Sequence, residues 1–246
     1  MITADRDIDP SSLNYNMLGQ SDLVNIVLQR SEVLTGVKRP GDVIRQWIAG
    51  DETRLRAEVQ SNGVVLAQRA ARVIQTEFET LQPTLDELRP KKIADIGCGY
   101  GFFDLFAHAR YDAELLLIDI ENNDRRHFGF EDEAAAYTSL QAAQRFLTEN
   151  GVPPEKITTW NPEEDELEEG QEPDLAVSFL SCGYHFPVDM YLPFFRFGLA
   201  PGGAVILDLR NQAFQENKRL LSNLGRVVVL SSGPGCKRVL VRKGRK

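Results

Sequence analysis

Ile93-Ala94-Asp95-Ile96-Gly97-Cys98-Gly99-Tyr100-Gly101, followed by Phe102-Phe103-Asp104-Leu105-Phe106, is the stretch that decides how this chain folds. A short apolar run ends in three alternating glycines, and a helix-like pattern begins at once. That order predicts a strand, a tight turn and a helix N-terminus. The glycines admit dihedrals closed to other residues and let backbone N–H groups approach a ligand closely. The next apolar run, Leu115-Leu116-Leu117-Ile118, ends in Asp119, 22 residues beyond Gly97.

An acid about 20 residues on, at the tip of a second strand, is where a nucleotide ribose finds its hydroxyl acceptor. The glycine spacing separates the nucleotide classes. A dinucleotide fingerprint reads G-x-G-x-x-G, whereas here the run is G-x-G-x-G, with Phe102 and Phe103 where a third glycine of that fingerprint would lie. Asp95 sits two residues before the first glycine. This pattern resembles motif I of the class I S-adenosylmethionine-dependent methyltransferases, an acid two before G-x-G-x-G. The resemblance implies that Asp95, Gly97, Cys98, Gly99, Tyr100 and Gly101 face the methionine part of S-adenosylmethionine. It also implies that Asp119 binds the ribose hydroxyls and Ile120 lies against the adenine. A cationic sulfonium and ammonium make a nearby carboxylate electrostatically sensible.

Composition bounds the class. The chain has 246 residues, enough for a full core. Its hydrophobic content of 42% and charged content of 26% are ordinary for a globular protein. No apolar stretch approaches the ~20 residues that span a bilayer, and the acidic, polar start from Met1 to Pro10 does not read as a secretory signal. Cys98, Cys182 and Cys236 are scattered without a paired motif, which fits a reducing cytoplasm and neither a disulfide framework nor a zinc site. Net charge of −8 disfavours nucleic acid as partner; the only basic cluster lies between Lys237 and Lys246.

Residues 1–90 read as a helical segment that covers a sheet edge or closes over an acceptor. Residues 1–20 show no period and are either disordered or a flap. Helical spacing starts at Ser21, a plausible N-cap, and a short helix runs from Asp42 to Ala49. A longer helix follows Asn62-Gly63 and stops at Pro83, and Thr84-x-x-Glu87 caps a last short one. From residue 91 to 246 strands and helices alternate, the pattern of a mostly parallel sheet with helices on both faces. Strands are expected at 92–96, 114–119, 156–160, 174–180 and 204–208. Helices are expected around 134–147, at 187–199, where Pro193 argues for a kink, and at 212–224, capped by Gly225. Glu163–Glu172 holds seven acids and reads as a solvated loop. Arg226–Leu230 and Lys237–Val241 form a terminal hairpin. A Rossmann-like seven-stranded α/β sheet ending in an antiparallel strand is similar to the class I methyltransferase fold, and Leu199-Ala200-Pro201-Gly202-Gly203 is a second motif of the resemblance.

Ligands in open α/β sheets lie over the carboxyl ends of the strands. After strand three, where the resembling family usually has an acid against the adenine amino group, this chain has Asn161, whose amide oxygen is able to accept a hydrogen bond. After strand four stands Ser178-Phe179-Leu180-Ser181-Cys182-Gly183-Tyr184-His185-Phe186-Pro187, with Ser178 at the cofactor and His185 as the candidate base for an acceptor hydroxyl. Tyr184 and Ser181 are candidates to orient that acceptor. Asp208 and Asn211 are too few hard ligands to argue for a metal. The expectation is a methyltransferase acting on a small-molecule acceptor, at oxygen, and on a sugar-like hydroxyl. Three other readings stay open: a nucleotide-dependent oxidoreductase, a protein or RNA methyltransferase, and a non-catalytic S-adenosylmethionine-binding protein. Oligomeric state is left open.

Overall fold

The apolar runs on either side of the glycine turn become neighbouring parallel strands. In the computed structural model, which describes residues 8–120, 139–164, 166 and 170–244, β1 (Lys92–Ile96) pairs with β2 (Glu114–Ile118) in register from Lys92↔Glu114 to Ile96↔Ile118. Strands β3 (Ile157–Trp160), β4 (Leu175–Ser178) and β5 (Ala204–Arg210) extend the parallel sheet. Then β6 (Val227–Ser232) and β7 (Cys236–Arg242) close it as antiparallel strands. The order is β3-β2-β1-β4-β5-β7-β6, so β7 lies between β5 and the edge strand β6.

Successive strand residues point to opposite faces, and both faces are covered. Ile93, Leu115, Leu117, Val177 and Ile206 face one apolar layer together with the N-terminal helices. Ala94, Leu116, Ala176, Val205 and Leu207 face the other, with Tyr191, Phe195, Phe214 and Leu221. Burial on both sides explains why β1, β4 and β5 read as continuous apolar runs rather than alternating ones. The edge strand β6 is largely exposed.

The N-terminal helices differ from expectation in one large respect. Three of them precede the sheet: α1 (Gln20–Gln29), α2 (Pro40–Ile48) and α3 (Thr53–Leu88). The last is a single helix of 36 residues, about 54 Å long. It begins before Asn62-Gly63 and runs through Pro83, so Thr84 and Glu87 cap nothing. An internal glycine costs only about 1 kcal/mol of helix propensity, and here Gly63 is buried against Leu23 of α1. Beyond it Phe78, Leu81 and Leu85 bury one face across the proline. Packing outweighs both breakers. The helix stops at Arg89, in the left-handed region at φ 49°, just before Pro90.

Smaller corrections have local causes. Helix α1 starts two residues early: Gly19 is the N-cap and its N–H donates to Asp22 Oδ2 at 2.8 Å, so Ser21 lies inside the helix. After β1 comes α4 (Phe102–Tyr111), and after β2 comes α5 (Leu140–Glu149), capped by Ser139; the expected helical positions Ala134 and Tyr137 lie outside the described residues. Residues 187–199 split at Pro193 into a 3-10 turn, Val188–Tyr191, and a π-helical turn, Phe194–Gly198. The helix α6 (Phe214–Leu221) is shorter than expected. Gly225 is there for close approach, since a Cβ on it would stand 2.0 Å from the Arg242 carbonyl oxygen of β7. Of the N-terminal stretch without period, residues 8–19 pack onto the core through Tyr15, whose ring meets Phe102 and Phe146. No helix among the described residues is long and apolar enough to cross a membrane.

Candidate active site

The turn between β1 and α4 takes the conformation that its glycines predict. Gly97, Gly99 and Gly101 all have positive φ, at 75°, 57° and 72°. The Gly97 N–H donates to the Ile118 carbonyl at 2.7 Å, which ties the loop to the end of β2. There Asp119 turns back: its Oδ2 accepts the Gly99 N–H at 3.3 Å and its Oδ1 accepts the Ile120 N–H at 2.8 Å. The structure thus brings together the glycines and the acid that the sequence separates by 22 positions. Cys98 is buried beside them, and burial pushes its thiol well above the usual range. It is no nucleophile.

Beneath the loop, Asp95 meets a partner that motif reading missed. Asp104, in the first turn of α4, lies near enough for the two carboxyl groups to influence each other electrostatically, and both are buried. Burial pushes Asp104 up to about 7. Asp95 is also pushed well up, first by burial and then by the Asp104 charge. Asp95 Oδ1 and both Asp104 oxygens have no hydrogen-bond partner. Only the position of Asp104 within a turn of the glycine loop hinted at it.

The β4 loop closes the other side. A Cβ on Gly97 would stand 2.4 Å from Ser181 Cβ and Oγ, so the two loops touch. The Ser181 carbonyl accepts the N–H groups of Tyr184, His185 and Phe186, and Leu180 is held at φ 58°. Ser178 is fully buried, donating to the Ile96 carbonyl at 2.6 Å and accepting the Cys182 N–H at 2.9 Å. Its hydroxyl is engaged in joining β1 to β4, which places it under the site rather than at its surface. His185 is half-buried with its ring against Tyr184, and Arg210, at the end of β5, lies 5.0 Å over the Tyr184 ring. Burial first, then the Arg210 charge, hold the His185 imidazole below its usual pKa. The sequence signal for Arg210 was only its place at the carboxyl end of a strand.

Asn161 ends β3 and is buried. Its Oδ1 accepts the Glu163 N–H at 3.1 Å, whereas its Nδ2 has no partner. Asn161 can therefore offer a donor besides the remaining lone pair of its amide oxygen. Next to the β4 loop, Arg238 of β7 grips Asp208 of β5 with two bonds of 2.7 Å and lies 4.6 Å over the Phe179 ring. Among the described residues no group of three His, Cys, Asp or Glu side chains converges as a metal-ion site would.

Comparison with solved structures follows from this architecture. A candidate O-methyltransferase from Nostoc punctiforme superposes with a TM-score of 0.53 over 90% of this chain and 72% of its own, at 16% identity. The chain has the class I methyltransferase fold. Geranyl diphosphate methyltransferase, solved with GPP and sinefungin, gives a TM-score of 0.50 over 75% of this chain and 82% of its own, at 17% identity. No protein-family model matches the sequence, and no curated protein matches it either. In the parallel part of the sheet the β1 glycine turn, Asp119 and the β4 loop lie at one end, the carboxyl ends of β1, β2 and β4.

Proposed function

We propose that this chain is an S-adenosylmethionine-dependent methyltransferase of a small-molecule hydroxyl, sugar-like in character, working in the cytoplasm. The observation that carries the reading is the unpaired, buried Oδ1 of Asp95 beneath a positive-φ glycine loop whose Gly99 N–H is already bonded to Asp119. A buried carboxylate oxygen without a partner is costly, and a cationic ligand relieves that cost. S-adenosylmethionine fits this donor and acceptor set. Asp95 and the loop of Gly97, Gly99 and Gly101 would hold its methionine part. Asp119 would accept from the ribose hydroxyls, and Ile120 and the Asn161 Nδ2 would meet the adenine.

When bound, S-adenosylmethionine supplies a methyl group on a positively charged sulfur, open to attack by an oxygen. The chain's part is alignment, exclusion of water and removal of one proton. His185, kept neutral by burial and by Arg210, is suited to take the acceptor proton at a ring nitrogen. Tyr184 and Ser181 would orient the acceptor, and the N-terminal segment 1–90 would shut out water. The outward net charge of −8 argues against an RNA acceptor.

Calorimetric titration with S-adenosylmethionine and S-adenosylhomocysteine, with NAD as control, tests the reading. Micromolar binding of the first two, lost in Asp119→Ala, is the expected result. An unaltered parent protein that binds neither would overturn it.

A further inference from the structure

Arg210 ends β5 on the face of the sheet that the N-terminal helices cover. Side chains two apart on a strand share a face, and Ile206, Asp208 and Arg210 follow that spacing, with Ile206 in the same apolar layer as those helices. The position is held from two sides. The Arg210 N–H donates to the Gly183 carbonyl of the β4 loop at 2.9 Å. The next residue, Asn211, donates from its backbone to the Gly235 carbonyl at 3.1 Å and from its side chain to the Gly233 and Pro234 carbonyls at 3.0 Å each. The end of β5, the β4 loop and the β6–β7 turn therefore form one corner. Tyr184 stands in it, its hydroxyl 3.2 Å from where a Cβ on Gly235 would lie.

The charges on this face do not all cancel. Arg238 is matched by Asp208 and Glu77, and Arg30 by Glu77 and Glu32. Arg210 is part-buried and, among the described residues, has no carboxylate at ion-pair distance. Its neighbour is a ring: the guanidinium carbon lies 5.0 Å over Tyr184, whose other contact is the His185 ring at 4.9 Å. The cation and the candidate base thus flank one tyrosine. A guanidinium stacked through its flat face keeps its N–H edge for an oxyanion, held by two parallel bonds. With a net charge of −8 the chain as a whole repels anions, so an anion is admitted only where a local cation meets it. Resting on the methyltransferase reading above, we propose that the acceptor is an anion, and that Arg210 binds its carboxylate or phosphate while the hydroxyl of the same molecule is presented to His185. The substrate class is then an acidic or phosphorylated hydroxyl compound, and Arg210 is what separates it from a neutral one.

The test uses the full chain saturated with S-adenosylhomocysteine and three sugars that differ at one carbon: glucose, glucuronate and glucose 6-phosphate. By calorimetry, at least one of the two anions is expected to bind roughly tenfold more tightly than glucose. The tighter of the two tells carboxylate from phosphate. Arg210→Gln should weaken that anion roughly tenfold and leave S-adenosylhomocysteine within about twofold. Arg210→Lys keeps the charge without the planar fork and should fall between parent and Arg210→Gln. Melting curves of both variants should match the parent, because Arg210 is outside the apolar core. Anions that bind no better than glucose, or an anion whose affinity Arg210→Gln leaves unchanged, overturn the proposal. A parent protein that does not bind S-adenosylhomocysteine overturns the cofactor reading and the proposal with it, a result seen before any sugar is added.

Discussion

Asp95 at the end of β1 and Asp104 in the first turn of α4 are two buried carboxyl groups, the second raising the proton affinity of the first, and no ion pair holds either among the described residues. The folded pair holds protons that the unfolded chain sheds. An unfolded carboxyl titrates near 3.8, whereas burial pushes Asp104 up to about 7 and Asp95 well up as well. The stability this pair contributes is therefore full below about pH 4 and lost as pH rises through 7. Asp104→Asn should reduce that slope, the buried Asp95 keeping its own part of it. Urea unfolding at pH 4.5 and pH 8 is the check, with the variant more stable than the parent at pH 8 by on the order of 2 kcal/mol. A variant with the parent's slope would contradict a raised Asp104.

Binding a cation next to that pair must expel its proton. S-adenosylmethionine should therefore bind more tightly as pH rises from 6 to 8. Calorimetric heats in phosphate and in Tris should differ, since each buffer takes up the released proton with its own enthalpy. In Asp104→Asn the difference between the two buffers should shrink, Asp95 alone remaining to release a proton.

His185 and Arg210 are coupled through charge. With an acceptor in hand, His185→Ala should lower the turnover rate by roughly 10²–10⁴-fold. Removing the Arg210 charge acts in the opposite sense on the imidazole: its pKa rises, so the base stays protonated to higher pH. The acid limb of the pH–rate profile in Arg210→Gln should move upward in pH. A limb that stays in place would remove His185 from the base role.

The Arg238–Asp208 pair is nearly solvent-free, with side-chain exposures of 12% and 1%. Arg238→Met would leave the Asp208 carboxylate buried and unpaired, at a cost of about 3–5 kcal/mol. Converting Asp208 to Leu in the same protein should recover much of the loss. Thermal melts of the single and double variants measure both.

Gly63 separates α3 from α1. A Cβ there would stand 2.7 Å from the end of the Leu23 side chain, which can rotate away, and alanine gains helix propensity. Gly63→Ala should be close to neutral. Gly63→Leu overfills the contact and should cost about 1–3 kcal/mol.

Most of the sheet was legible because its signals are local. The run from Ile93 to Gly101, the Asp119 tip and the 226–241 hairpin each carry strand and turn chemistry within a few residues. The long helix was not, since Gly63 and Pro83 are true local breakers and only the packing of Leu23, Phe78 and Leu85 outweighs them. Site residues divide the same way. Those on the motif came from spacing. Asp104 and Arg210 stand beside candidate residues because separate elements meet there, and Asn161 has one lone pair of its oxygen taken by the Glu163 N–H. No property of one residue's own neighbours reveals such a meeting.

The place of β7 sets an order on assembly. Strand β6 is made first, yet its hydrogen-bonded partner in the sheet is β7, and β7 alone joins it to β5. During synthesis, residues 227–232 therefore have no sheet to join until residues 236–242 have left the ribosome. Until then β5 presents an open edge, the kind of surface that pairs with the wrong chain.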